Sequence, residues 1–308
     1  MKLNYIIEKN DENKELKQIL KKKLYISNIL LLKLKNTKSI FVNGIPTFVT
    51  YKVKENDSIL VDFDNMYSII NKEQEKFSDK YITFKNQLEI LYEDEYLLIV
   101  NKPPYLPVHP SSSHYENTLS NYVAYYLETQ GIYQIHIVTR LDKDTSGVCI
   151  FAKNEYIQEL FVRKKEIINF KKEYLAVVNG IVQKDHDILE LPIARSSNSI
   201  ITREVNPNGD FAKTEYTVIN RNHSKNYTVL NIKLHTGRTH QIRVHMAHIG
   251  HILLGDELYA IKHKYEGNIR EYIKRQALHA YKITFNHPIT NKIVCVEAPI
   301  PEDIKNLI

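Results

Sequence analysis

Apolar positions early in the chain recur at helical spacing before they turn to alternation. Leu16, Ile19, Leu20 and Leu24 fall on one face of a 3.6-residue period and predict a helix. Ile26–Leu34 predicts a second, shorter helix with Ser27 as its N-cap. Ser39–Pro46 reads as two short strands around Asn43-Gly44, a dipeptide that favours tight hairpin turns, and 52–61 adds a turn and another strand. Residues 1–70 therefore read as one small α/β unit. Residues 71–86 begin as a polar stretch, Asn71-Lys72-Glu73-Gln74-Glu75-Lys76, and read as a linker. From 87 to 308, short apolar runs alternate with turn signals. Leu97–Val100, Val148–Phe151, Tyr174–Val178, Thr214–Ile219, Tyr227–Leu234 and Ile293–Val296 predict strands, with helices over Leu119–Glu128 and Tyr156–Val162. Strands outnumber helices, so the expected class is α+β with a mixed, mainly antiparallel sheet.

Composition narrows the function classes. Of 42 Lys and Arg, nine are Arg, and none of these precedes Arg140. Lysine is a hydrated point charge, whereas arginine is a planar fork suited to carboxylate and phosphate. Between residues 14 and 38, eight Lys face one acid, Glu15, a charge run that on charge alone reads as a solvated helix face before it reads as a contact for a polyanion. No run approaches the ~18 apolar residues of a membrane span, and the first residues show no apolar signal-peptide core. Two cysteines, Cys149 and Cys295, build neither a disulfide framework nor a zinc site alone. The expectation is a cytoplasmic protein that stays off membranes.

Three segments carry candidate chemistry. Asn101–Ser111 holds four prolines and reads as a rigid loop after a strand. Val138–Gly147 contains Arg140-Leu141-Asp142-Lys143-Asp144-Thr145-Ser146-Gly147, a turn in which Asp142 is either a turn cap or a positioned nucleophile or base. Lys233–His245 lies within a stretch, Tyr216–Gly255, that has no acid but five cations and six of the 13 histidines. That composition suits phosphate binding. The His240/His245 and His248/His251 spacings match neither a metalloprotease helix nor a Cys/His zinc site.

Together these segments resemble the RluA-type RNA pseudouridine synthases. Residues 140–147 resemble that family's R-L-D-x-x-T-S-G signature, and Lys102-Pro103-Pro104 with Pro107-Val108-His109-Pro110 its Pro-rich loop. Lys172-Glu173-Tyr174-Leu175-Ala176 is similar to its K-x-Y-x-A strand. Gly237–His245 is similar to G-R-T-H-Q-I-R-x-H and is followed by Gly255-Asp256 and Tyr259, while Arg275–Ala280 with His287-Pro288 resembles the closing motif. Residues 1–70 resemble the small S4-type RNA-binding domain, with Lys where that domain usually carries Arg. Thr139 stands where the family has His and Tyr105 where its loop often has Gly. His251–Leu254 lacks the usual Pro, and Ala260 replaces a Gly.

The resemblance implies a catalytic domain of pseudouridine synthase type over 87–308. It implies that Asp142 is the catalytic aspartate, Arg243 the arginine that pairs with it, and Tyr174 the tyrosine stacked on the target base. Arg140 is implied to fill the stack when the uridine flips out. Lys172, Arg238 and His240 are implied to contact RNA around the site, and the S4 likeness brings Lys21, Lys22 and Lys23 to RNA. No cofactor and no metal is implied. The expected partner is RNA, with rRNA favoured over tRNA, bound by a monomer with no obligate protein partner. The alternative is a non-catalytic RNA-binding or ribosome-assembly factor that retains the fold.

Overall fold

Alternation within the strands decides where two buried layers form. The computed structural model describes residues 1–71, 87–110, 116–197 and 199–308. The linker expected over 71–86 lies outside them, apart from Asn71, which closes a helix rather than opening a linker. The first elements are β1 (Lys2–Ile6), α1 (Leu16–Lys22), α2 (Asn28–Asn36), β2 (Ile40–Val42), β3 (Ile45–Pro46), β4 (Ser58–Asp62) and α3 (Phe63–Asn71). Their four strands form an antiparallel sheet in the order β1-β4-β2-β3. Ser27 caps α2, its Oγ accepting the Leu30 N–H at 3.0 Å.

The chain then adds β5 (Ile90–Glu93), β6 (Leu97–Lys102), α4 (Leu119–Glu128), β7 (His136–Ile137), β8 (Ser146–Ala152), α5 (Glu155–Arg163), α6 (Lys165–Ile168), β9 (Lys171–Asn179) and β10 (His186–Glu190). A short pair follows, β11 (Ile193–Arg195) and β12 (Arg203–Val205), and then β13 (Lys213–Asn222), β14 (Tyr227–Leu234), α7 (Gln241–His248) and α8 (Glu257–Lys262). The last elements are β15 (Leu278–Asn286), β16 (Ile293–Glu297) and α9 (Glu302–Lys305).

A ten-stranded sheet runs β10-β13-β14-β9-β15-β8-β6-β5, with β16 on β15 and β7 on β8. Only the β15–β8 pairing, His279 with Ser146, is parallel among the described strands. The mixed, mainly antiparallel expectation therefore holds. Strand β15 is the seam of the sheet, pairing with β9 on one side and β8 then β16 on the other.

Both faces of the sheet are covered, and the period-2 alternation of strand side chains sorts residues between two cores. Leu97 and Ile99 of β6, with Val148 and Ile150 of β8, face one cluster. Leu98 and Val100, with Cys149 and Phe151, face the other, under α4. The first cluster also takes Leu16, Leu20, Leu30 and Met66, so the N-terminal unit shares a hydrophobic core with the larger sheet through α5. Phe63 stacks on Tyr156 with ring centroids 5.0 Å apart, Tyr156 Oη donates to the Leu24 carbonyl at 2.9 Å, and Lys33 pairs with Glu155.

Candidate active site

Asp142 lies in the turn that leads into β8, and this turn is fixed by two cations, Lys102 and Arg275, that belong to the Pro-rich and closing motifs but whose bracing role the sequence did not show. The Thr145 N–H donates to the Asp142 carbonyl at 3.1 Å. The next two carbonyls each receive a buried cation: Lys102 Nζ donates to Lys143 O at 2.8 Å, and Arg275 Nη1 to Asp144 O at 3.0 Å. Lys102 also donates to Pro103 O and Leu106 O, both at 2.8 Å, so it ties the proline-rich loop to the aspartate turn. Burial draws its pKa down to about 8. Gly147, the second residue of β8, has φ +111°, and an added Cβ there would meet the Ala280 carbonyl oxygen at 2.1 Å, so no other residue fits. Tyr105, in the proline-rich loop, adopts φ +65°, a conformation glycine takes without strain.

The Asp142 side chain, 27% exposed, opens onto a cleft of about 700 Å³. Its Oδ2 accepts from Arg243 Nη1 at 3.0 Å and lies 3.8 Å from His240 Nε2. Arg243 sits in the first turn of α7 and is almost wholly buried. Its other face is held by Asp256, with Nε to Oδ2 at 2.7 Å and Nη2 to Oδ1 at 2.8 Å, a bidentate pair. Burial works against the guanidinium charge, and the two carboxylates override it, raising the pKa above the usual arginine value. Asp256 Oδ1 also caps α8 by accepting the Tyr259 N–H. One buried carboxylate thus anchors the arginine, and the arginine presents its remaining nitrogen to the second carboxylate.

His240 precedes α7 with φ +57°. Its Nδ1 is 3.1 Å from Tyr259 Oη. Burial lowers its pKa, and Asp142 opposes that only in part. Tyr174 on β9 is buried beside the aspartate; burial first, and the nearby carboxylate second, raise its phenol so that it keeps its proton. Lys172 lies two residues earlier on the same strand face. Its Nζ stands 5.7 Å from the centre of the Phe170 ring and against Gly237, where a Cβ would come within 3.3 Å. Burial, and then Lys165, lower its pKa. Arg238 on the rim donates to Phe211 O at 3.0 Å and pairs with Asp210 at 3.5 Å. Arg140 is exposed at the mouth of the cleft.

Arg140, Asp142, Lys172, Tyr174, Arg238, His240 and Arg243 therefore all line one cleft. Lys21, Lys22 and Lys23 do not; they are exposed on and just after α1, and Lys23 is bound to Asp11 at 3.2 Å. Two other histidines of the basic stretch serve the fold. His245 bonds Thr214 Oγ1 and the Leu191 carbonyl, each at 2.9 Å, and His251 bonds the Asn179 carbonyl at 2.9 Å. Among the described residues no group of three or more His, Cys, Asp or Glu is arranged to hold a metal. Sequence reasoning missed the anchoring part of Asp256, although a signal existed: it is the first acid after the acid-free run from Tyr216 to Gly255.

Residues 96–248 match the family described as RNA pseudouridylate synthase. The chain is 37% identical over 268 residues to YjbO of Bacillus subtilis, described as an uncharacterized RNA pseudouridine synthase, which covers 87% of this chain and 88% of that protein. It is 39% identical over 229 residues to the ribosomal large subunit pseudouridine synthase D of Pasteurella multocida, covering 72% of this chain and 70% of that one. Among solved structures, the human RNA pseudouridylate synthase domain containing 1 superposes with a TM-score of 0.56 at 25% identity, covering 73% of this chain and 85% of the other.

Proposed function

The chain belongs to the RNA pseudouridine synthase family and is an isomerase acting on RNA, and from that premise we propose that Asp142 is its catalytic aspartate. A uridine turned out of its stack enters the cleft with C1′ towards the Asp142 carboxylate and its uracil on the Tyr174 ring. The N1–C1′ bond breaks, the uracil turns, and C5 bonds to C1′. C5 then loses its proton and N1 gains one, so the product has the composition of uridine and the reaction needs no co-reactant. A carboxylate suits the step because it acts on an electron-poor sugar carbon, as nucleophile or as electrostatic stabiliser.

The observation that carries this reading is the Arg243 guanidinium, pinned by Asp256 and offering one N–H to Asp142 at 3.0 Å. A positioned carboxylate in a cleft lined with cations and one buried tyrosine is suited to a bound, flipped nucleotide. The Tyr174 phenol, kept protonated, gives a neutral ring on which uracil stacks. Arg140, exposed at the mouth with no carboxylate bound among the described residues, is free to fill the gap the uridine leaves. His240, Lys172 and Arg238 bracket the adjoining phosphates.

Residues 1–70 are the S4-like RNA-binding part of this proposal and 87–308 the catalytic part. Lys21 and Lys22 supply diffuse attraction to the backbone; Lys23 contributes less because Asp11 holds it. The substrate is rRNA in the cytoplasm, a reading supported by likeness to a relative named for the large ribosomal subunit. Pseudouridine mapping of total cellular RNA, with and without the gene, tests it. One or more rRNA uridines should lose the modification in the deletion. A change confined to tRNA would overturn the rRNA assignment. Full complementation by Asp142→Asn would replace catalysis with a binding or assembly role.

A further inference from the structure

Six of the nine arginines meet a carboxylate. Arg140 and Arg195 are exposed and meet none among the described residues. Arg140 already has a place at the cleft; Arg195 has none. It ends β11 directly opposite Arg203 of β12, and like charges facing each other across a two-stranded ribbon cost stability. Arg203 relieves this by bending onto the carbonyls of Ile200, Ile201 and Thr202 at 3.4, 3.3 and 3.1 Å. Arg195 is left facing solvent.

The turn that Arg203 braces presents two isoleucines outward, Ile200 at 80% and Ile201 at 59% exposure. These are held rather than loose: Ser199 Oγ accepts the Ile201 and Thr202 N–H groups at 3.2 Å each, and Ser196 Oγ donates to Glu204 at 2.8 Å. The neighbouring acids are already taken, Glu204 by Lys262 and Asp210 by Arg238. The turn end of the ribbon is tied to the cleft through one hydroxyl. The Arg203 N–H donates to Tyr259 Oη at 3.1 Å, and that hydroxyl contacts His240, which lies beside Asp142. A bare guanidinium and a braced apolar tip therefore belong to a ribbon joined to two cleft residues, to His240 through Tyr259 and to Arg238 through Asp210, which bridges Ile193.

We propose that this ribbon is an RNA-contacting arm. Arg195 takes a phosphate of the strand flanking the target uridine, and Ile200 and Ile201 lie against sugar and base edges beside it. Phosphate contacts of this kind set register, while the apolar tip adds contact that salt does not screen. The proposal rests on reading the cleft as the uridine site.

Its test uses the full-length protein and total cellular RNA from a strain lacking the gene. Filter binding gives Kd at several KCl concentrations, and pseudouridine formed against RNA concentration gives kcat and KM. Arg195→Ala should raise Kd and KM about fivefold to tenfold, leave kcat unchanged, and flatten the slope of log K against log salt by about 1. Arg195→Lys should keep the slope. Ile200→Ser with Ile201→Ser should weaken binding several-fold without changing it. Arg221→Gln removes an equal charge at the far end of β13 and should move KM little; an equal effect there would reduce Arg195 to bulk charge and overturn the arm.

Unchanged Kd, KM and slope in Arg195→Ala would overturn the proposal. So would a fall in kcat alone, which would make the ribbon a support of the site. A wild-type dimer broken by the isoleucine changes with RNA binding intact would assign the tip to a second copy and overturn it too. Wild-type protein that binds RNA but forms no pseudouridine would sink the catalytic reading, while the Kd comparison still decides the arm.

Discussion

Arg243 answers to two carboxylates, and only one of them faces the cleft. Its bidentate partner, Asp256, is buried, whereas Asp142 is partly open. The two acids should therefore respond differently to the same change. Asp142→Asn leaves the guanidinium paired, so stability in urea unfolding should shift by less than about 1 kcal/mol while pseudouridine formation stops. Asp256→Asn strips the buried partner and should cost about 3–5 kcal/mol, with kcat falling more than KM rises because Asp142 loses its aim. Equal destabilisation by the two variants would contradict this division of labour. The motifs made Asp142, Tyr174 and Arg243 legible together only through the family resemblance. Composition alone left Asp142 open between turn cap and base, and Arg243 lies 101 residues further along the chain. The Asp256 anchor was not legible, since a carboxylate's partner depends on how α7 meets α8.

At the scale of elements, the sequence showed what packing leaves periodic and hid what packing disrupts. Strands β6, β8 and β9 carry continuous apolar runs, buried on both faces, and were read from those runs. Strand β15 was missed because its register shifts between Ala280 and Lys282, which breaks the period-2 signal in the central seam of the sheet. Helix α7 was missed because Gln241 through Ala247 are all buried, polar and apolar alike, leaving no amphipathic stripe. The N-terminal unit was legible as α/β, but not its shared core, which depends on Phe63 meeting Tyr156 and α5. That core carries a prediction. Phe63→Ala should cost about 3–5 kcal/mol. It should also move one transition for the whole protein, seen alike by probes placed in residues 1–70 and in 87–308. Two separated transitions, with only the N-terminal one shifted, would show that the units unfold independently.

Whole-molecule behaviour follows from charge. Burial alone would raise the Asp94 pKa; the His287 ring nitrogen 3.1 Å away, with hydrogen bonds from Tyr92 and the Tyr96 and Leu97 N–H groups, outweighs it and holds the carboxyl well below the usual range. With its folded pKa depressed, Asp94 contributes stability that is fully present above its unfolded pKa of about 3.9 and is lost as pH falls below that. Asp94→Asn should therefore cost about 1–3 kcal/mol at pH 7 and progressively less towards pH 2, as urea midpoints against pH would show. A constant deficit at all pH would remove the linkage. The distribution of basic residues adds a salt prediction: replacing Lys21 and Lys22 with Gln should flatten the salt slope of RNA binding by about 2 without changing kcat. The catalytic predictions rest on the cleft being the place where uridine is isomerised. The most direct measurement is pseudouridine formed in total cellular RNA from a deletion strain, by purified wild-type protein and by Asp142→Asn under identical conditions. Wild type should restore the missing modification at its mapped position and Asp142→Asn should restore none while binding the RNA with similar affinity. Modification by Asp142→Asn at the wild-type rate would contradict the assignment of Asp142.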